Sequence, residues 1–295
     1  MTGNPHPAAR AVSAGARSAA VAAVLLTLSL ALCRPCPAGA REQEIHTRAA
    51  TTVRILAEVP ADARAVLLLF EGAQGLLQRG YQGFAHRVFD RFPPHGIGAV
   101  LMDAPADKSG FRGGLDPRFR ESARHIADID GVVAALKRDY GLPVWILGVS
   151  NGTRSAASYA MHRSKDIGGV VLVSSSTTPP NGTPIGELPG IARITVPLLA
   201  VAHRDAACLG SPPSGAAQIA NAATASPHAA AMFFTGGEND GPLPCGTGTH
   251  HQLHGNEDDV VDAVVWFIDA YTARPAAPPR RPDGAALGAM SLEGR

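Results

Sequence analysis

The 295-residue chain carries 26 Lys plus Arg against 25 Asp plus Glu, and 45% of it is hydrophobic, 17% charged and 5% aromatic. The apolar share supplies a sizeable core and excludes wholesale disorder. Near-neutral charge and scarce aromatics argue against a nucleic-acid binder and give no signal for an anionic membrane surface. The length is that of one or two domains.

Residues 1–40 read as a secretory signal peptide. Arg10 and Arg17 make a basic start, and Ala19 to Leu32 is apolar apart from Thr27 and Ser29. Those fourteen residues fall short of the roughly 20 that a membrane-spanning helix needs. Ala38-Gly39-Ala40 then offers a small-residue cleavage site. An uncleaved anchor and a lipoprotein modified at Cys33 are the alternatives, the second opposed by Leu32 standing before the cysteine. Cleavage removes Arg10, Arg17 and Arg34 and no acid, and leaves only Cys208 and Cys245. Two cysteines in an exported chain point to one disulfide, with two reduced core thiols as the alternative. Export also implies a periplasmic or extracellular location, without stable membrane insertion once the signal is removed.

Residues 41–51 read as a flexible N-terminal segment. Val53 to Val59 is expected as an edge strand. Compact apolar runs predict buried strands at Ala65 to Phe70, Ile97 to Met102, Val144 to Leu147, Val170 to Val173, Val196 to Ala202 and Ala229 to Thr235. Helices fall between them. Ile126, Ile129, Val132, Val133, Leu136 and Tyr140 recur at helical spacing within Glu121 to Tyr140, and Gly141 and Pro143 stop that helix. Val260, Val261, Val264, Val265, Ile268 and Tyr271 mark a last helix from about Glu257, with acids in its first turn as the helix dipole favours. Strands alternating with such helices predict an α/β domain over 52–272, a mostly parallel sheet covered on both faces. Residues 273–295, rich in Ala, Pro, Gly and Arg, read as a disordered tail.

The segment VWILGVSNGTRSAASYA (144–160) carries the chemistry. A buried strand runs into Gly148-Val149-Ser150-Asn151-Gly152 and a small-residue helical stretch follows: G-x-S-x-G in a strand–turn–helix setting. A sharp turn lifts the Ser150 hydroxyl above the strand ends, the flanking glycines leave room for neighbouring backbone, and the helix aims its positive end at a developing oxyanion. Ser150 is therefore the candidate nucleophile. An ordinary Gly-Ser turn is the bland reading. Asn151-Gly152-Thr153 and Asn181-Gly182-Thr183 also match a glycosylation sequon, and a glycan on Asn151 would block the turn.

With this motif the chain resembles the α/β-hydrolase superfamily over nearly all of 52–272. It is similar, more narrowly, to small lidless secreted bacterial members of serine-esterase type, through DAPADKSG (103–110), FRESARHIADIDGVVAALKRDYGLPVWILGVSNGT (119–153) and HHQLHGNEDDVVDAVVWFI (250–268). The resemblance implies the triad order Ser, acid, His. Asp205, the carboxylate in the loop after VPLLAVA, is then the expected acid, with Glu238 and Asp240 as fallbacks. The spacing of a His to a Gly and a Glu in these hydrolases corresponds to His251, Gly255 and Glu257, which selects His251 ahead of His254 and His250. An H-H-x-x-H metal site over the same three histidines lacks an accompanying acidic or Cys ligand set. Cys208 and Cys245, if paired, would tie the acid loop to the His loop. The oxyanion donors are expected at the backbone N–H groups of Asn151 and Ala73, with Gln74 next. Superfamily members often carry His-Gly where this chain has Glu71-Gly72. Asp103 reads as a loop-capping residue, and His125 and His162 as surface residues.

These features predict an exported carboxylic-ester hydrolase working through an acyl-enzyme with a Ser150–His251–Asp205 triad and no cofactor or metal. About twenty residues between the strands ending at Val173 and starting at Val196 leave no room for a cap domain, which suits small or polymeric esters. A peptidase or thioesterase using the same triad, and a catalytically silent scaffold used for binding, are the rival readings.

Overall fold

Residues with the alternation and apolar runs described above assemble, in a computed structural model, into a nine-stranded sheet of order β1-β2-β4-β3-β5-β6-β7-β8-β9. The structure describes Met1, 39–73, 75–77, 83–109, 115–177, 183–272 and 290–294. The expected signal segment therefore lies almost wholly outside the described residues. Among those described, no helix is long and apolar enough to cross a membrane.

Strands β1 (Arg41–Arg48) and β2 (Thr51–Glu58) form an antiparallel hairpin, and β2 pairs antiparallel with β4 (Ile97–Met102). β3 (Ala65–Phe70), β4, β5 (Val144–Val149), β6 (Gly169–Val173), β7 (Leu198–His203) and β8 (Ala229–Phe234) run parallel. β9 (Met290–Gly294) closes the far edge antiparallel to β8. Between them stand α1 (Phe84–Val88), α2 (Pro117–Arg120), α3 (Ala123–Tyr140), α4 (Gly152–Arg163), α5 (Ser214–Ala222) and α6 (Glu257–Tyr271).

Five of the parallel strands are buried from end to end, and β8 from Ala231 on, because both faces are covered. Along β3 and β5 successive side chains alternate between two cores. Val66, Leu68, Phe70, Val144 and Ile146 join Ile129 and Val132 of α3, Ala156 and Ala160 of α4 and Ile219 of α5. Leu67, Leu69, Trp145, Leu147 and Val149 join Phe84 and Val88 of α1 and Val260, Val264 and Ile268 of α6. The fold is thus a three-layer α/β sandwich, as the apolar runs predict. Strand order reverses at β3, whose neighbours are β4 and β5. The crevice beyond the carboxyl ends of β3 and β5 is the usual place for a ligand in such a sheet.

Two segments depart from the sequence-based expectation. Residues 41–48 form a strand, with a register shift between His46 and Arg48, rather than a flexible lead, so β2 is an interior strand and not an edge. Thr47 Oγ1 and Arg48 Nε both donate to the buried Asp128 carboxylate of α3, each at 2.7 Å, and Gly131 gives Thr47 room to lie on that helix. Residues 290–294 return to pair with β8, within a stretch whose composition predicts disorder; the exposed edge of β8 offers them a ladder. Between β6 and β7 the described residues make single 3₁₀ turns at Ile185–Glu187 and Ile191–Arg193.

Cys208 and Cys245 are joined by a disulfide, Cα to Cα 4.7 Å, across 37 residues of sequence. The bond links the loop after β7 to the loop before α6. A closed loop of that length is worth about 3–4 kcal/mol through lost unfolded-state entropy. Reduction, or Cys208→Ser with Cys245→Ser, is expected to lower the denaturant-unfolding free energy by about that amount. A loss under about 1 kcal/mol would show the pair to be dispensable to the fold.

Candidate active site

Ser150 stands between β5 and α4 at φ +51°, a left-handed conformation that costs a serine energy and persists only because the surroundings impose it. Its N–H donates to the Val173 carbonyl of β6 at 2.9 Å. The turn is closed by backbone approach. A Cβ on Gly152 would stand 2.2 Å from the Phe70 carbonyl oxygen, and one on Gly148 would stand 2.4 Å from the Gly152 carbonyl oxygen. No other residue fits either place, which is the structural content of the G-x-S-x-G spacing.

His251 lies in a 3₁₀ turn, His250–Gln252, just ahead of α6. Its Nε2 is 3.1 Å from Ser150 Oγ. The ring is fully buried, and burial pushes its pKa down to about 4. At neutral pH it is an uncharged imidazole able to take a proton from the hydroxyl. The turn is held from α1: the Gln252 side-chain oxygen accepts the Phe84 N–H at 2.8 Å, and Arg87 donates to the Gln252 carbonyl and to Glu257. His254 faces away, within 3.3 Å of a Glu238 oxygen and 3.5 Å of Glu257. His250 stacks on His203, ring centroids 3.8 Å apart. Of the three histidines, His251 alone is bonded to Ser150.

Asp205 does not hydrogen-bond His251, in contrast to the sequence-based expectation. His251 Nδ1 is buried without a partner, and burial is the one cause acting on its pKa. The reason is local. The backbone N–H of Asp205 donates to His203 Nδ1 at 3.1 Å, curling the loop so that the carboxylate clusters with His203 and His250. Glu238 lies on His254, and neither fallback acid bonds His251.

The loop in which the oxyanion donors are expected follows β3. A Cβ on Gly72 would sit 3.1 Å from Ser150 Cβ, so this backbone lies directly against Ser150. Glu71, the departure from His-Gly, is buried and accepts the Gly72 N–H at 2.7 Å and the His86 N–H and Nδ1 at 3.3 and 3.2 Å. The Gly72 amide is thereby occupied. The chain turns at Ala73, φ +42°, and Gly75 N–H closes the turn on the Gly72 carbonyl at 2.8 Å. Neither the Ala73 nor the Asn151 amide is engaged in a hydrogen bond among the described residues. Gln74 lies outside the described residues.

Arg120 was not singled out from the sequence. It is buried at the end of α2 and donates to the carbonyls of Glu71 and Ala73, both at 3.2 Å, and to Ser155 Oγ at 2.9 Å. His125 is not a surface residue but fully buried between Phe70 and Phe119, with Nε2 2.9 Å from the same Ser155 Oγ. Burial, then the nearby Arg120 and Arg48 guanidiniums, push its pKa down to about 3. Ser155 and His125 thus make a second serine–histidine pair. Ser155 is sealed inside α4 and its oxygen already accepts from Arg120, so this pair braces the loop after β3. The helical spacing around Glu121 to Tyr140 marks the apolar face, and His125 lies one residue before Ile126 on it. Asp103 caps its loop as expected, accepting from the Leu77 and Ala104 N–H groups at 2.9 and 2.8 Å and pairing with Arg54. His162 is exposed.

No protein-family model matches the sequence, and no curated protein does. Many solved structures match the fold. Dienelactone hydrolase from Anabaena variabilis is 13% identical with a TM-score of 0.57, covering 79% of this chain and 98% of its own. An esterase from Pyrococcus furiosus is 12% identical with a TM-score of 0.57, covering 79% and 93%. Est1E from Butyrivibrio proteoclasticus is 12% identical with a TM-score of 0.56, covering 77% and 97%. The chain adopts the α/β-hydrolase fold.

The geometry sets the titration of His251. Its imidazole proton resonances should titrate near 4, below the usual 6.5, and Asp205→Asn should leave that value unmoved within a few tenths. A value at or above 6.5, lost in Asp205→Asn, would show that the carboxylate does reach Nδ1 in solution.

Proposed function

We propose that the chain is an exported serine hydrolase acting on carboxylic esters, with Ser150 as nucleophile and His251 as general base. The observation that carries the reading is the 3.1 Å approach of His251 Nε2 to Ser150 Oγ on a left-handed turn, with the Ala73 and Asn151 amides unengaged beside it. In this reading Ser150 Oγ attacks the ester carbonyl as His251 takes its proton. The Ala73 and Asn151 N–H groups hold the oxyanion, aided by the N-terminal end of α4. His251 then gives the proton to the departing alkoxide. Water repeats the cycle in reverse on the acyl-enzyme and frees the carboxylic acid.

His251 must carry its proton on Nδ1 to accept from Ser150. That buried N–H has no acceptor in the resting arrangement, a shortfall worth about 1–3 kcal/mol. The pair therefore works as a dyad unless the Asp205 loop turns to meet it. Esters suit such a site better than amides, because an alkoxide leaves more easily than an amine. The disulfide and the apolar stretch after a basic start support export. The unpartnered Nδ1 is the one observation that favours the rival reading of a silent binding scaffold.

Fluorophosphonate labelling of the oxidised protein, read by intact mass, decides between them. One adduct per chain is expected, lost in Ser150→Ala and slowed at least a hundredfold in His251→Ala, but kept in Ser155→Ala. An ester panel would follow. Absence of any adduct on folded protein would overturn the hydrolase reading, and an adduct lost in Ser155→Ala but kept in Ser150→Ala would move the nucleophile.

A further inference from the structure

We propose that Arg120 is a positioning residue for ester hydrolysis, its buried guanidinium fixing the direction in which the Ala73 N–H points. The inference deepens the hydrolase reading and rests on it. The turn it concerns is under backbone strain. Ala73 stands at φ +42° and Gly75 at φ +66°, and a residue with a side chain stays left-handed only where its surroundings impose it.

A trans peptide is planar, so its N–H points away from its own carbonyl, and holding the carbonyl aims the amide. Three successive carbonyls of this turn are held. Those of Glu71 and Ala73 both accept from Arg120 Nη2, at 3.2 Å each, and that of Gly72 accepts the Gly75 N–H at 2.8 Å. The Gly72 carbonyl belongs to the same peptide as the Ala73 N–H. With its own oxygen on Gly75 and both flanking carbonyls on one nitrogen, that peptide cannot turn over without breaking these bonds. The Ala73 amide is left unengaged among the described residues, on backbone that lies against Ser150.

The guanidinium itself has little freedom. Arg120 is 1% exposed. Its Nη1 donates to Ser155 Oγ of α4 at 2.9 Å, and its Nε to the Leu115 carbonyl ahead of α2 at 3.3 Å. Three nitrogens of one planar group thus meet three separate segments. The loop is shaped to receive it: a Cβ on Gly75 would stand 2.7 Å from Nη2. A lysine here would keep the charge, but a single ammonium cannot meet acceptors on all three segments at once. The positive charge beside the loop also favours a negative charge forming at the Ala73 amide.

The test is steady-state hydrolysis of p-nitrophenyl acetate by the oxidised full chain and its Arg120→Lys variant. kcat is expected to fall about tenfold or more with KM within about twofold, because the interaction lost is one made in the transition state. A phenyl trifluoromethyl ketone supplies the second readout. Ser150 Oγ adds to its carbonyl carbon, the Ser150 proton passes to His251, and the carbonyl oxygen takes the negative charge. Its inhibition constant should rise by the factor by which kcat/KM falls. A merely structural lesion lowers the active fraction and leaves that constant unmoved. Ser155→Ala spares both loop carbonyls and should keep kcat within about threefold of the parent. If Arg120→Lys does not fold, Gly75→Ala makes the same test from the loop side, its Cβ displacing Nη2, with the same split expected. Parental kcat in the folded variant, a change confined to KM, or ketone inhibition at parental strength would each overturn the proposal. So would a Ser155→Ala loss as large as that of Arg120→Lys. A parent that neither hydrolyses the ester nor takes the fluorophosphonate defeats the hydrolase reading and this proposal together, whereas an active parent with an indifferent Arg120→Lys defeats this proposal alone.

Discussion

The site depends on one close approach of backbone to backbone. The Gly152 Cα lies so near the Phe70 carbonyl that no side chain fits between them. That contact ties the start of α4 to the end of β3, and with it the Ser150 turn to the loop of Gly72 and Ala73. Ser150 is pressed into its left-handed conformation because β5 must end and α4 begin within that space, while its N–H is drawn sideways to β6. The geometry around Ser150 is therefore set first by strand spacing and two glycines. The side chains come second.

The second layer of control is a polar frame around the oxyanion loop. Glu71 draws in the Gly72 N–H from within the loop, and Arg120 holds the Glu71 and Ala73 carbonyls from beneath. Glu71 also accepts from His86 on α1, and α1 in turn grips the His251 turn through Gln252 and Arg87. A single short helix thus couples the Gly72–Ala73 loop to the turn that carries His251. Seen this way, Glu71 is no defect relative to the more common His-Gly. Its carboxylate occupies one of two adjacent amides and leaves the other, that of Ala73, unengaged.

Much of this was legible in the sequence, and the reason differs from element to element. The six parallel strands show as apolar runs because both their faces are buried, so no alternation is needed to find them. The G-x-S-x-G turn shows because its glycines are forced by contact. β1 did not show, since its order comes from Thr47 and Arg48 reaching Asp128, a partner some eighty residues on. The buried role of His125 was hidden for the same reason: it is decided by Ser155, 30 residues on, a pairing that carries no spacing rule. Asp205 could be found by strand order but its direction could not. That direction is set by one backbone hydrogen bond to His203.

The loops after β7 and before α6 show how a covalent constraint can decide between two chemistries. Linking them through Cys208 and Cys245 fixes which side chains face one another, and the result stacks His250 on His203. A carboxylate in that neighbourhood has two imidazole systems to choose from: the stacked pair, which is partly open to solvent, and His251, which is sealed. Meeting His251 would bury the charge of Asp205 beside a single neutral ring, a desolvation that only a strong hydrogen bond to the Nδ1–H could offset. Remaining at the stacked pair keeps the charge hydrated. The exposed carboxylate therefore rests where solvation is cheapest, and a positive charge forming on His251 would shift that balance by direct charge attraction.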